Sequence, residues 1–342
     1  MRPTPPSCLR HMSRSQRSRF LAVPPARLAT LPPAARELLL VAAADPAASG
    51  KIGGSSSPAE PLLTSKSAWD HVKSIPVGPE RQYFTAAWTI ACKEAYYANS
   101  TCSRCYNLLE CCICADLARI SNPESSATRH SVLVLMHPKE YRRLENSGRL
   151  LPLLLNPATA PSSTLADPGP SSPIPGARII LTSVAAHEQW LADYVARAPK
   201  NTVLALYPVE GARTVSEVAG DLANGSGEVP EVTLLVLDGT WGQVKAMRRA
   251  VPEGVVWARM GAAEGAEEGD GVRSVMAPIR SQTRTDGVCT AQAVSAALGE
   301  LGEGEEVTGA IDEGLRVFTR SRVRYLMKHG QIKMENVPED MM

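Results

Sequence analysis

The run Val232-Thr233-Leu234-Leu235-Val236-Leu237 restricts the fold of this chain more than any other segment. It is short, apolar and rich in β-branched residues, the character of a strand buried inside a helix-covered parallel sheet. It stops at Asp238-Gly239-Thr240-Trp241, and a helix-period pattern follows: Trp241, Val244, Met247 and Val251. The reading is strand, sharp turn, helix. In open α/β sheets, ligands bind at such carboxyl ends of strands. An acid, a hydroxyl and an indole therefore arrive where a site is expected. Each also has an ordinary structural use. Asp-Gly is a common turn pair, Thr240 suits an N-cap, and Trp241 suits a core. On this reading Asp238 faces solvent and does not support the core.

Further apolar runs predict strands at Ser131–Met136, Arg178–Thr182, Asn201–Tyr207 and Val255–Ala258. Helical spacing predicts helices over His187–Ala198, over 241–250, and from Thr290 with an inner face of Val294, Ala297 and Leu301. Alternating strands and helices imply an α/β fold, a mainly parallel sheet with flanking helices. Residues 1–66 read as leader and linker, 67–125 as an N-terminal segment holding a cysteine cluster, 126–330 as the α/β domain and 331–342 as a tail. Exposed loops are expected at 156–176, 261–271 and 302–306, where Pro, Ser, Gly or Glu accumulate.

Charge is unevenly placed. Residues 1–36 contain seven Arg and no Asp or Glu, so the rest holds 29 Lys+Arg against 35 Asp+Glu, a balance of −6. An acid-free, Arg-rich leader reads as an organellar transit peptide, for plastid or mitochondrion. A basic tail touching nucleic acid is the other reading and leaves cytoplasm or nucleus open. The mildly acidic remainder does not advertise nucleic acid, so RNA binding would need a local basic patch. No run of about 18 uncharged apolar residues is present, so no membrane span is expected.

Five of the eight cysteines fall between Cys102 and Cys114. Cys102-x2-Cys105 and Cys112-Ile113-Cys114 offer two thiolate pairs, which together suit a four-sulfur zinc site. Binding of such an ion can fold a short loop that has little core of its own. Iron–sulfur ligation, disulfides and ordinary buried thiols are the other readings, and nothing resembles a secretory signal that would favour disulfides. Cys111 beside Cys112 leaves open which of the two is a ligand.

The ordered series Cys102-x2-Cys105, Cys112-x-Cys114, His137-Pro138-x-Glu140, Ser147-Gly148-Arg149-Leu150, Leu206-Tyr207-Pro208, Asp238-Gly239-Thr240-Trp241, Arg280 and Cys289-Thr290-Ala291 resembles the DTW-domain family over about residues 100 to 300. That resemblance implies a tRNA-uridine aminocarboxypropyltransferase using S-adenosylmethionine, with an α/β fold akin to the knotted SPOUT methyltransferases. It implies catalytic roles for Asp238, Thr240 and Trp241. It implies cofactor contacts from Leu206, Tyr207, Pro208, Leu237, Asp238, Arg280 and Thr290. Arg142, Arg143, Arg149, Lys245, Arg248 and Arg249 are the residues suited to RNA, and the late run Arg316, Arg320, Arg322, Arg324 and Lys328 reads either as a phosphate track or as a solvated helix face. His137, before a proline, reads as a structural histidine, with a site role as the other reading. Two positions depart from the family: Gln292 stands where Glu is usual, and Val244 where Ala is frequent.

A methyltransferase on the same scaffold and a non-catalytic zinc-containing RNA-binding protein are the competing functions. S-adenosylhomocysteine as product would mark the first; binding without turnover would mark the second.

Overall fold

The structure, a computed structural model, describes residues 70, 72–97, 100–121, 128–156, 176–223, 227–261, 274–279, 288–333 and 337–338. The Arg-rich leader, the tail beyond 338, Arg280 and most of the loops expected at 156–176 and 261–271 lie outside them. The chain divides into two compact units, Met1–Ser100 and Thr101–Met342.

The described part of the first unit is dominated by α1 (Pro79–Tyr97). Proline at its first position costs no hydrogen bond there. Ala86, Ala87, Trp88 and Ile90 are buried. Thr85 and Thr89 turn their hydroxyls back onto the carbonyls of Arg81 and Thr85.

The second unit contains α2 (Cys114–Ile120), β1 (Ser131–Met136), α3 (Leu151–Leu155), β2 (Ala177–Leu181), α4 (Ala185–Arg197), β3 (Val203–Leu206), β4 (Arg213–Thr214), α5 (Val215–Ala223), β5 (Thr233–Asp238), α6 (Trp241–Met247), β6 (Val256–Arg259), α7 (Thr290–Glu300) and α8 (Glu305–Lys328). The six strands form one sheet in the order β2-β1-β5-β3-β6-β4, every pair parallel. This is the expected parallel sheet with flanking helices.

Side chains alternate across each strand, and the sheet is covered on both faces. One face carries Leu133, Leu135, Leu235 and Leu237 into a cluster with Trp190, Leu191 and Val195 of α4 and Val244 and Met247 of α6. The other carries Val132, Val134, Leu234 and Val236, all buried. There α3 packs on β2, α7 on β5, and α8 on both α3 and α7. Every residue of β1 and β5 is buried, which accounts for their unbroken apolar character.

The cysteine segment falls within this unit. Its physical tie is α8: Ser321 donates to the Cys111 carbonyl at 3.0 Å, and Lys328 pairs with Glu110.

The topology creates one switch point. β1 continues to β2 on one side, while β5 leads to β6 beyond β3 on the other. The carboxyl ends of β1 and β5 lie side by side, Met136 opposite Asp238, and the His137 N–H extends the ladder to the Asp238 carbonyl at 2.9 Å. A crevice at such a place is the usual ligand site of an open α/β sheet.

Candidate functional site

Asp238 closes β5 with its side chain on the face of α7. It is buried rather than solvent-facing. Asn146 Nδ2 donates to its Oδ2 at 2.5 Å, and Thr290 Oγ1 donates to its Oδ1 at 2.6 Å. The turn 146–149 and the start of α7 therefore grip the carboxylate from two sides. Ser147 Oγ accepts the Ala291 N–H at 3.2 Å and joins the turn to the helix. Asn146 Oδ1 accepts the Arg149 N–H at 3.1 Å and shapes the turn itself. A Cβ on Gly148 would stand 2.9 Å from Asp238 Oδ2 and 3.2 Å from Val134 Cγ1, so only glycine lets the turn lie against the acid. The arrangement is a carboxyl group held in a fixed orientation at the switch point.

Thr290 is the first residue of α7; Cys289 occupies the N-cap position and the Thr290 hydroxyl goes to Asp238. Gln292, two residues further along α7, has a buried Oε1 with no hydrogen-bond partner. A buried orphan acceptor is costly, and this one lies in the helical turn that begins beside Asp238.

Beyond Asp238 the chain turns into α6. Gln243 Oε1 accepts the Thr240 N–H at 2.6 Å, and the Thr240 carbonyl accepts the Val244 N–H. Thr240 thus opens the helix, as a cap residue does. Trp241 is not core: it is 40% exposed, while Val244 and Met247 take the buried face. Its ring lies 5.8 Å from that of Tyr207, at the end of β3. The Arg248 guanidinium stands 5.9 Å from the Tyr207 ring centre and 5.6 Å from that of Trp257. Lys245, Arg248, Arg249 and Pro208 are exposed. An exposed indole, a tyrosine and the Arg248 guanidinium thus lie together, beyond the ends of β5 and β3. Leu206 and Leu237 are both buried, and Leu237 points into the α4–α6 cluster, so only their backbone is left to meet a ligand.

Arg149 is a correction. Its placement among RNA-contacting residues rested on charge, but it is buried. Its guanidinium donates to the carbonyls of Tyr106 and Leu144 at 2.8 and 3.0 Å and to Asn107 Oδ1, and it stacks 5.1 Å from the Phe318 ring centre. Arg142 is buried likewise, over the Tyr106 ring. On α8, Arg316 and Arg320 pair with Glu313, Arg322 with Glu145, and Lys328 with Glu110, while Arg324 is exposed. His137 Nδ1 accepts the Lys139 N–H, a structural bond. Asn146, Ser147 and Gly148 had no role from local pattern; their partners lie far along the chain.

The four-sulfur reading is resolved in favour of Cys112. The sulfurs of Cys102, Cys105, Cys112 and Cys114 all lie within 4.8 Å of one another. Cys102 and Cys114 are 3.6 Å apart, Cys105 and Cys112 3.9 Å. A tetrahedral ion with sulfur at about 2.3 Å needs edges of about 3.8 Å. The group fits a metal ion, and thiolate donors suit zinc. Burial pushes the Cys102 thiol up, but the backbone N–H groups of Cys105 and Arg104 and the neighbouring thiols outweigh it and bring it down to about 7. Burial pushes Cys105 up to about 11 and Cys114 higher still. Cys111 is buried outside the group.

Fold and site together define an α/β domain with a buried acid at its switch point and a group of four cysteines that could hold a metal ion. The DTW domain matches residues 99–323, more than half of the chain, and the chain belongs to that family, which is associated with tRNA modification. Neither a curated protein nor a solved structure gives a significant match. Among the described residues no helix is long and apolar enough to cross a membrane.

Proposed function

We propose that the chain transfers the 3-amino-3-carboxypropyl group of S-adenosylmethionine to N3 of a uridine in tRNA. The N3–carbon bond forms as the carbon–sulfur bond breaks. The sulfonium becomes the neutral thioether of methylthioadenosine, and the N3 proton leaves to solvent or a base. The leaving group is already activated by its charge, so the protein's task is alignment and charge placement.

The observation that carries this reading is the oriented carboxyl group of Asp238 at the carboxyl end of β5, from which the chain runs directly to the exposed Trp241. Held by Asn146 and Thr290, the carboxyl group is suited to facing the sulfonium or the amino group of the cofactor, or to accepting the uridine N3 proton. Trp241 and Tyr207 offer a stacking surface for a base, a contact every nucleobase can make. Lys245, Arg248 and Arg249 suit the adjoining phosphates. The backbone at Leu206, Tyr207 and Pro208 is suited to the adenosine. Gln292 supplies an acceptor without charge where the family usually has an acid. A zinc ion at the four cysteines would supply structure, not chemistry, since all four positions are taken by protein ligands.

Product analysis tests the reading. Incubation with unmodified tRNA and S-adenosylmethionine should yield methylthioadenosine. S-adenosylhomocysteine in its place would identify a methyltransferase and overturn the proposal.

A further inference from the structure

We infer that Arg149 is a positioning residue through which the four-cysteine loop sets the place of the Asp238 carboxylate. The inference rests on the reading of Asp238 as the acid of the site.

The connection is continuous. Cys105 is followed directly by Tyr106, held at a φ of 55°, and Asn107. The turn is closed by Cys102 N–H to the Asn107 carbonyl at 2.7 Å and Tyr106 N–H to the Cys102 carbonyl at 3.0 Å. Both residues present an acceptor to Arg149: the Tyr106 carbonyl at 2.8 Å and Asn107 Oδ1. Arg149's own N–H then goes to Asn146 Oδ1 at 3.1 Å, and Asn146 Nδ2 to Asp238 Oδ2 at 2.5 Å. Metal loop, arginine, turn and acid form one chain of polar contacts.

The residue type fits the task. A guanidinium is a planar fork that engages two acceptors in a fixed geometry, which an ammonium on a flexible stem does not reproduce. Burying a cation is costly unless its donors are met. Arg149 is therefore stable in this position only when the turn after Cys105 is formed. The sulfurs that bracket this turn are the ones a metal ion would hold together. A divalent ion bound by four thiolates keeps a net negative charge, which the buried guanidiniums of Arg149 and Arg142 offset. Metal occupancy and the geometry at Asp238 are thereby linked.

Hydrogen exchange of the full chain, followed by mass spectrometry with and without chelator, tests the link without turnover. A failed transfer assay therefore leaves it standing or falling on its own. In the metal-loaded native chain, residues 102–112 and 144–150 should both be protected. Removing the metal should speed exchange at 144–150 by about tenfold or more, the scale set by loss of charge-assisted hydrogen bonds. In metal-loaded Arg149→Met, 102–112 should stay protected while 144–150 exchanges fast, and chelation should add nothing at 144–150. Arg149→Lys should behave like Arg149→Met. Unchanged exchange at 144–150 on chelating the native chain, or full protection there in metal-loaded Arg149→Met, would overturn the inference. If Arg149→Met does not fold, Asn107→Ala removes one acceptor and leaves the arginine in place. Loss of the chelation response at 144–150 in that variant supports the link, and a native response refutes it.

Discussion

Asp238 and Thr290 stand 52 residues apart in sequence and share a 2.6 Å hydrogen bond, with the threonine hydroxyl donating to Oδ1. The bond joins the end of the central strand β5 to the first residue of α7. Asn146 completes the grip from the loop after β1. The acid is thus oriented by elements on either side of the switch point. Truncating it would leave two buried donors unmet, so Asp238→Ala should cost stability as well as activity.

Gly148→Ala separates orientation from charge. The new Cβ would stand 2.9 Å from Asp238 Oδ2, so the carboxylate or the turn must move. Misplacement of this order is expected to lower the transfer rate by about a hundredfold, with an overpacking cost of about 1–3 kcal/mol. Single-turnover rates and thermal melts would check both, and metal content should stay full. A native rate would show that the acid's position does not matter.

Trp241→Ala probes the exposed surface. The indole is 40% exposed and lies off the core, so the melting temperature should change little. Loss of a stacking partner should weaken binding of base or cofactor by about tenfold to a hundredfold. Calorimetric titration with each ligand would show which of them stacks there. Large destabilisation with native affinities would return Trp241 to a packing role.

Cys112→Ser should lose the metal and melt at a lower temperature, whereas Cys111→Ser should keep it. The sulfur group includes the first and not the second. Metal content after gel filtration decides. Loss of metal in Cys111→Ser with retention in Cys112→Ser would reverse the assignment.

His130 gives stability a pH dependence. It is buried; its Nδ1 accepts the Val232 N–H at 3.1 Å, and its Nε2 lies 3.2 Å from the Leu301 carbonyl. Burial holds its pKa below the ordinary value, against the carbonyl of Leu301 and Glu303. The unfolded chain therefore binds the proton more readily, and stability falls as pH drops through the unfolded value of about 6.5 toward the lower folded one. Its contribution is fully present above that window. Melting temperatures from pH 7.5 to 5 should fall in the native chain, and less steeply in His130→Gln. Equal slopes would remove His130 as a cause.

Sequence periodicity located β1 without error and placed the other long strands within a residue or two, because buried parallel strands are apolar throughout. It missed β4, two polar residues at the sheet edge, and α5, which follows β4 directly. Asp238, Trp241 and the cysteine group were legible because strand-end chemistry and thiol spacing are local signals. Asn146 was not: its partner is 92 residues away, and a polar residue in a loop carries no mark of that contact. Its neighbours Ser147-Gly148 stand in the motif quoted for the family, which marked the turn but not the contact. Arg149 was misread because charge on a sequence does not reveal burial. Cys111 and Cys112 could not be separated by spacing. The short helical turn Leu109–Cys111 buries the first, while Cys112 joins the sulfur group.

The central claim is tested most directly by incubating the chain and unmodified tRNA with S-adenosylmethionine labelled in its carboxypropyl carbons. The account predicts label in tRNA at uridine, methylthioadenosine in equal amount, and loss of both in Asp238→Asn. No label in tRNA from either the native chain or Gln292→Glu, with cofactor bound, would contradict it.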